Sequence, residues 1–224
     1  VLNAADHGAP QKRERVFIVG FRRDQETGWS FADVPKTHSL DALLADQWVS
    51  RAYWDRHGVS KRERPDPPDR HAHRIEVLRR DDRVSKEAAR PWVTVRDAFQ
   101  GLPEPVQGSL SGFHNHEFQP GARSYPGHTG SPIDLPAKAL KAGDHGVPGG
   151  ENMLVRPDGS LRYFTVREAA RLQCFPDEYV LKGAWSEAMR QLGNAVPVRL
   201  AEVVAKSVAD ALGRATVLSE FKHQ

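Results

Sequence analysis

The chain has 224 residues, room for one large or two small domains, with 27% charged and 39% hydrophobic residues. Its single cysteine excludes an internal disulfide and a multi-cysteine zinc site, and no apolar run is long enough to span a bilayer. The formal charge of +3 is only mildly basic and no signal-like segment precedes the first element, so a soluble intracellular protein is expected.

Val1 to Arg23 reads as loop followed by strand. Gly8-Ala9-Pro10 marks a turn, and Arg15 to Phe21, rich in Val, Ile and Phe, is expected to be a buried strand. A strand needs neighbours for its ladder, and little later in the chain reads as strand, so the chain is expected to be part of something larger. Gln11, Arg13 and Arg15 alternate along this extended segment and project to one side. Two guanidiniums and an amide on one face suit a clamp for phosphate and a base carbonyl, or a surface edge held by salt bridges.

Residues 24–37 are a connector. Ser39 suits a helix cap, with Leu40, Leu43, Leu44 and Trp48 at helical spacing behind it. Arg51 to Arg90 carries twelve Lys/Arg against eight Asp/Glu, either a phosphate-facing surface or a solvated mixed-charge one. Its first part, to His73, is broken by Pro65, Pro67 and Pro68 and is expected to be loop. Arg74 to Arg90 is expected to be a helix, and Thr94 to Leu102 a short capped one.

His114-Asn115-His116 is contiguous, whereas an HNH nuclease spreads those residues over a hairpin and helix. A zinc site from His71, His73, His114 and His116 has no fixed ligand spacing behind it. These histidines are expected on loops, near nucleic acid if the chain binds any. In Tyr125 to Asn152, Gly143, Gly146, Gly149 and Gly150 allow close backbone approach to a groove, and Lys138, Lys141 and His145 offer donors to phosphates or base edges. An ordinary loop is the alternative.

Leu154 to Phe164 reads as a hairpin turning at Pro157-Asp158-Gly159-Ser160. Thr165 and Glu168 form a capping box opening a helix that Phe175-Pro176-Asp177 ends. Ser186 to Leu192 is a second helix. Gly193-Asn194 is read as a sharp turn, after which Val198, Leu200, Val203, Val204, Val208 and Leu212 recur at helical spacing. Cys174, between apolar neighbours near a helix end, reads as a buried structural thiol.

Three stretches carry a family resemblance. TVREAARLQCFPD and QLGNAVPV resemble the ninth and tenth conserved blocks of the DNA cytosine-5 methyltransferases, and ADHGAPQKRERVFIVGFR resembles the eighth, with its Gln-x-Arg-x-Arg core. They stand in family order and cover about sixty of the 224 residues. The resemblance implies an α/β fold class. The terminal strand and closing helices of a Rossmann-like methyltransferase domain would surround an inserted, irregular α+β target recognition domain. The implied division is residues 1–24 for the end of the catalytic domain, 25–160 for target recognition, 161–192 for the ninth block and hinge, and 193–224 for the tenth block and returning helix.

The resemblance also implies roles. Arg15 would reach a flipped target cytosine, with Arg13 and Gln11 organising the site. Asn194 and Ala195 would line the cofactor S-adenosyl-L-methionine, although Ala195 stands where the family often has Ser. Lys138, Lys141, Gly143, His145 and Arg167 would serve the recognition of double-stranded DNA. Ala139-Leu140 replaces the family's Thr-Leu pair, and Glu151-Asn152-Met153 resembles its Glu-Asn-Val block but lies out of order.

The Pro-Cys block carrying the family nucleophile has no match here, and Cys174 does not correspond to it. The expectation is the C-terminal part of a DNA (cytosine-5) methyltransferase of restriction–modification type, inactive alone. It would work with the N-terminal catalytic part or a separate subunit, in the bacterial cytoplasm at the nucleoid. A non-catalytic DNA-binding module is the alternative, ahead of an HNH-type nuclease.

Overall fold

The computed structural model describes residues 1–25, 27–80, 89–108, 112–126, 129–142 and 152–222, with side chains through Arg214. At the N-terminal end, β1 (Leu2–Asn3) lies antiparallel to β3 (Glu14–Arg15), with Leu2 opposite Arg15. Between them come a 3-10 turn, Ala4–His7, and β2 (Gln11–Lys12). The Asn3 side chain caps that turn by accepting from the Ala5 N–H, and Gly8 at φ 89° ends it.

The strand expected over Arg15 to Phe21 stops at Arg15. Val16 and Ile18 are 71% and 93% exposed, while Phe17 and Val19 are partly covered. The alternation is there, but no neighbouring strand among the described residues offers a ladder, so the segment has one dressed face and open backbone.

In the middle of the chain, β4 (His38–Ser39) leads into α1 (Leu40–Trp48), whose N-cap Ser39 accepts from the Ala42 N–H as expected. The stretch expected to be loop through His73 instead contains α2 (Ala52–Arg56) and a 3-10 turn, Asp69–His71. Burial explains α2, since Tyr53 and Trp54 pack with Leu43 into a core that overrides weak local propensity. Helix α3 (Ala72–Arg80) packs Ile75 and Leu78 on Leu44. The rest of the helix expected to Arg90 lies largely outside the described residues, and Arg90 itself opens β5 (Arg90–Pro91), parallel to β4. Helix α4 (Val95–Ala98) carries a full capping box between Thr94 and Asp97.

Strands β6 (Ser131–Pro132), β8 (Met153–Val155) and β9 (Leu161–Tyr163) form a three-stranded sheet, with β8–β9 the expected hairpin. Gly159 takes the φ of 81° its turn requires. Strand β7 (Ala137–Lys138) instead pairs parallel with β2 and so fastens the N-terminal segment to the middle of the chain. Helices α5 (Val166–Leu172), α6 (Trp185–Asn194) and α7 (Val198–Lys222) complete the chain. The largest core joins Phe164, Ala169, Leu172, Met189 and Leu192 to Leu140 and Leu154. Helix α7 sets Leu200 against Ala4 and Ala9, whose small side chains admit it closely.

Helix α5 ends before Phe175, its chain reversing through Cys174 at φ 60°. Gly193 and Asn194 are the last residues of α6 and not a turn; the break falls at residues 195–197. No described helix is long and apolar enough to cross a membrane.

Candidate functional site

The strap Leu140 to Ala142, where the chain leaves β7, is gripped from four sides. Gln11 Oε1 accepts from the Leu140 N–H at 3.4 Å, and Arg13 Nη1 donates to the Leu140 carbonyl at 2.6 Å. The Asn152 amide clasps Lys141 twice: its Oδ1 accepts from the Lys141 N–H at 3.2 Å and its Nδ2 donates to the Lys141 carbonyl at 3.1 Å. The fourth side is Gly193. A Cβ there would stand 2.6 Å from the Lys141 carbonyl carbon and 2.8 Å from the Ala142 Cα, with the Ala142 nitrogen also in its way. Gly193 is therefore a contact glycine, letting α6 lie on the strap's backbone; it needs no left-handed conformation.

Arg13 completes the grip by donating Nη2 to the Gly193 carbonyl. Gln173, fully buried, ties the helices together: its Nε2 donates to the Leu192 carbonyl at 2.5 Å, and its own carbonyl accepts the Val198 N–H at 2.9 Å. One residue thus closes α6 and opens α7, answering backbone groups that helix ends leave unpaired. Beneath, Arg162 and Glu168 form a buried two-point pair at 2.7 and 2.6 Å, and Glu168 also accepts the Thr165 N–H at 2.9 Å.

The residues proposed from sequence fall into three groups. Gln11 and Arg13 are buried and hold the protein's own backbone, which is positioning and not ligand contact. Arg15, partly exposed, donates to the Glu14 carbonyl at 2.8 Å, and burial lowers its pKa from the ordinary arginine value. It is the member of the trio with guanidinium capacity left for a ligand. Asn194 is exposed at the end of α6, beside the half-buried Ala195, whose N–H is already given to the Gln191 and Leu192 carbonyls.

Lys138 Nζ donates to Thr129 Oγ1 at 2.7 Å, and Lys141 is exposed at the strap. Gly143 and His145 lie outside the described residues. Arg167 requires correction as a DNA contact. It is 1% exposed and donates to the carbonyls of His114, Pro176 and Tyr179 at 3.1, 3.1 and 2.9 Å. Burial foremost lowers its pKa. A guanidinium so engaged organises a turn of its own protein.

The histidine trio resolves in the same way. His116 is buried between Thr165 Oγ1 at 2.9 Å and the Pro103 carbonyl at 2.8 Å, so both ring nitrogens are engaged. Asn115, at φ 63°, exchanges two 2.9 Å bonds with the Leu181 backbone. Only His114 is exposed. Sequence reasoning missed Gln173 and Asn152 as organisers. Asn152 stood in a motif lookalike, and no local pattern marks an amide that pairs with backbone eleven residues away.

Residues 1–210 match the family model of C-5 cytosine-specific DNA methylases, and the chain belongs to that family. Its mixed α/β build of small sheets and helices is consistent with a methyltransferase fold. Among curated relatives, it is 31% identical over 217 residues to the Type II methyltransferase M.Eco47II of Escherichia coli, covering 96% of this chain and 46% of the relative. It is 30% identical over 243 residues to M.SacI of Streptomyces achromogenes, covering 95% and 51%. It is 29% identical over 209 residues to M.AplI of Arthrospira platensis, covering 93% and 46%. The chain spans about half the length of these relatives.

Proposed function

We propose that this chain is the C-terminal part of a DNA (cytosine-5) methyltransferase of restriction–modification type. It supplies target recognition, one arginine of the base pocket and one wall of the S-adenosyl-L-methionine site. The carrying observation is the grip on the strap: residues of the eighth block (Gln11, Arg13) and tenth block (Gly193) meet at the root of the recognition segment. In this reading residues 25–160 are the recognition insert, and the flanking segments belong to a Rossmann-like domain whose remainder is the N-terminal part. The exposed Val16 and Ile18, with no ladder beside them among the described residues, support a sheet continued by that part.

The chemistry follows from where each residue stands. Carbon 5 of cytosine is unreactive inside a duplex, so the base must leave the stack. Arg15 holds the extruded base, Gln11 and Arg13 fix the backbone around it, and Lys138 and Lys141 meet the DNA. Asn194, exposed with no side-chain bond among the described residues, fits a donor–acceptor contact to the cofactor; Ala195 adds only a small apolar surface. Bound S-adenosylmethionine supplies the methyl group. Attack on carbon 6 requires a thiolate, and Cys174 does not serve: burial foremost pushes its thiol up to about 11, where it packs against the Ala4, Ala9 and Leu200 cluster. The nucleophile belongs to the complementary part.

The test mixes the purified chain with the N-terminal half of a relative carrying Pro-Cys and Phe-x-Gly-x-Gly blocks and measures methyl transfer to duplex DNA. Reconstituted activity is expected, with Arg15→Ala abolishing it while duplex binding persists. Duplex binding with no restoration by any half would make the chain a non-catalytic DNA-binding module. Methyl transfer by the 224 residues alone would overturn the division of labour.

A further inference from the structure

The N-terminal 3-10 turn is fastened to the middle of the chain at one residue, Asp6. Its carbonyl accepts the Thr37 N–H at 2.9 Å, its Oδ1 accepts the Trp92 indole N–H at 3.0 Å, and its Oδ2 pairs with Lys36 at 2.9 Å. Trp92 in turn packs on the Leu43, Tyr53 and Trp54 core. The β2–β7 pairing and the Arg13 grip on the strap join the same two parts independently. The Asp6 seam can therefore part while the grip holds.

Two histidines are enclosed in this seam. His7, 1% exposed, follows Asp6, and neither of its ring nitrogens makes a hydrogen bond among the described residues. His38, at the start of β4, is also buried, its Nδ1 2.8 Å from Thr37 Oγ1. Its ring rests against the turn that carries His7, so closely that a Cβ on Gly8 would stand 2.6 Å from Cε1. Lys36, Arg90 and Arg199 face the two rings from the connector, β5 and α7. Asp6 also faces His7, but its carboxylate is shared by Lys36 and Trp92; Glu202, largely exposed, pairs with Arg199 at 2.8 Å. Burial is the largest influence against charging either ring. Asp6 and the Pro35 carbonyl oppose it at His7, whereas Lys36 at His7, and Arg90, Arg199 and His7 at His38, add to it.

We propose that the Asp6 seam is an acid-sensitive latch: protons on His7 and His38 part the N-terminal turn from Lys36, Thr37 and Trp92, while the Arg13 grip and the separate cores stay closed. With both rings charged, two enclosed cations would stand among three others. In the parted form the rings are hydrated and take up protons near 6.5, above the pH at which they do so in the closed seam, so acid favours parting. Each ring that gains a proton on parting moves the equilibrium by up to about tenfold per pH unit below 6.5, levelling off beneath the closed values. The grip does not respond, because a guanidinium, side-chain amides and backbone groups do not titrate there. The latch stands whether or not the chain reads DNA.

The full chain with isotope-labelled tryptophans supplies the readout by nuclear magnetic resonance. The Trp92 indole N–H bonds across the seam to Asp6, whereas those of Trp54 and Trp185 bond to the Gln47 and Phe164 carbonyls away from it. Between about pH 7.5 and 5.5 the Trp92 resonance is expected to leave its bonded position while those of Trp54 and Trp185 stay. His38→Gln removes one of the two titrating rings and should roughly halve the steepness of that transition, from two protons towards one. Should His38→Gln fail to fold, the titrations of the two histidine rings in the unaltered chain decide, and they must track the Trp92 change. Three resonances moving together mark global unfolding and overturn the latch. So do a Trp92 resonance that stays in place, an unchanged transition in folded His38→Gln, or histidine rings that titrate apart from it.

Discussion

Arg13 donates to the carbonyl of Gly193, 180 residues further along the chain, and with its other terminal nitrogen to the carbonyl of Leu140 at 2.6 Å. One buried guanidinium therefore joins the link between β2 and β3, the strap and the end of α6. Arg13→Met removes the donors and leaves two buried carbonyls without them, at about 1–3 kcal/mol each. Thermal melting should register a fall of roughly 5–15 °C for a chain of this size. Arg13→Lys should recover only part of it, because an ammonium lacks the planar fork that reaches both carbonyls.

Gly193→Ala should be destabilising although alanine is the better helix former. The added methyl meets the backbone of Lys141 and Ala142, and backbone cannot swing aside as a flexible side chain does. A loss of about 1–3 kcal/mol is expected in denaturant titration. The control is Gly213→Ala, in α7, where a Cβ meets nothing within 4 Å and the helix should gain stability. An equal rise for both variants would refute the contact.

Glu168 makes two separable contributions, to the buried Arg162 pair and to the Thr165 capping box. Glu168→Gln keeps an acceptor for the cap but leaves the guanidinium without its buried counter-charge, at a cost of about 3–5 kcal/mol. Glu168→Ala should lose about 1 kcal/mol more, the value of a cap. Indistinguishable melting curves for the two variants would show that the cap contributes nothing.

Stability should also fall on mild acidification. His7 and His38 are buried, and both have pKa values lowered from 6.5, burial being the leading cause. Arg90, Arg199 and His7 push His38 further down; Asp6 and the Pro35 carbonyl partly oppose the shift at His7. Both take up protons at lower pH in the fold than in the unfolded chain, whose histidines begin to charge near 6.5. The unfolded state then binds more protons, so stability falls as pH drops below 6.5 and levels off beneath the folded values. Urea midpoints at pH 7.5 and 5.5 measure it, and His38→Gln should narrow the difference.

Short-range chemistry was the legible part of the sequence. The caps at Ser39, Thr94 and Thr165 and the turn at Gly159 depend on partners within four residues, and all appear as read. Helix α2 was invisible because Tyr53 and Trp54 hold it by distant packing. Gly193 was misread because a missing Cβ looks the same in sequence whether it permits a turn or a contact. Arg167 looked like a surface cation, and only the path of residues 114–116 and 176–179 shows its carbonyl partners. The Arg15 to Phe21 pattern marks the alternation of covered and exposed residues but not a strand beyond Arg15, since no ladder partner lies beside it among the described residues.

The two-bond clasp between Asn152 and Lys141 closes the chain on either side of residues 142–151. Eleven positions apart in the chain, the Lys141 backbone and the Asn152 side chain are thus joined by a pair of bonds that a single replacement, Asn152→Ala, would break together.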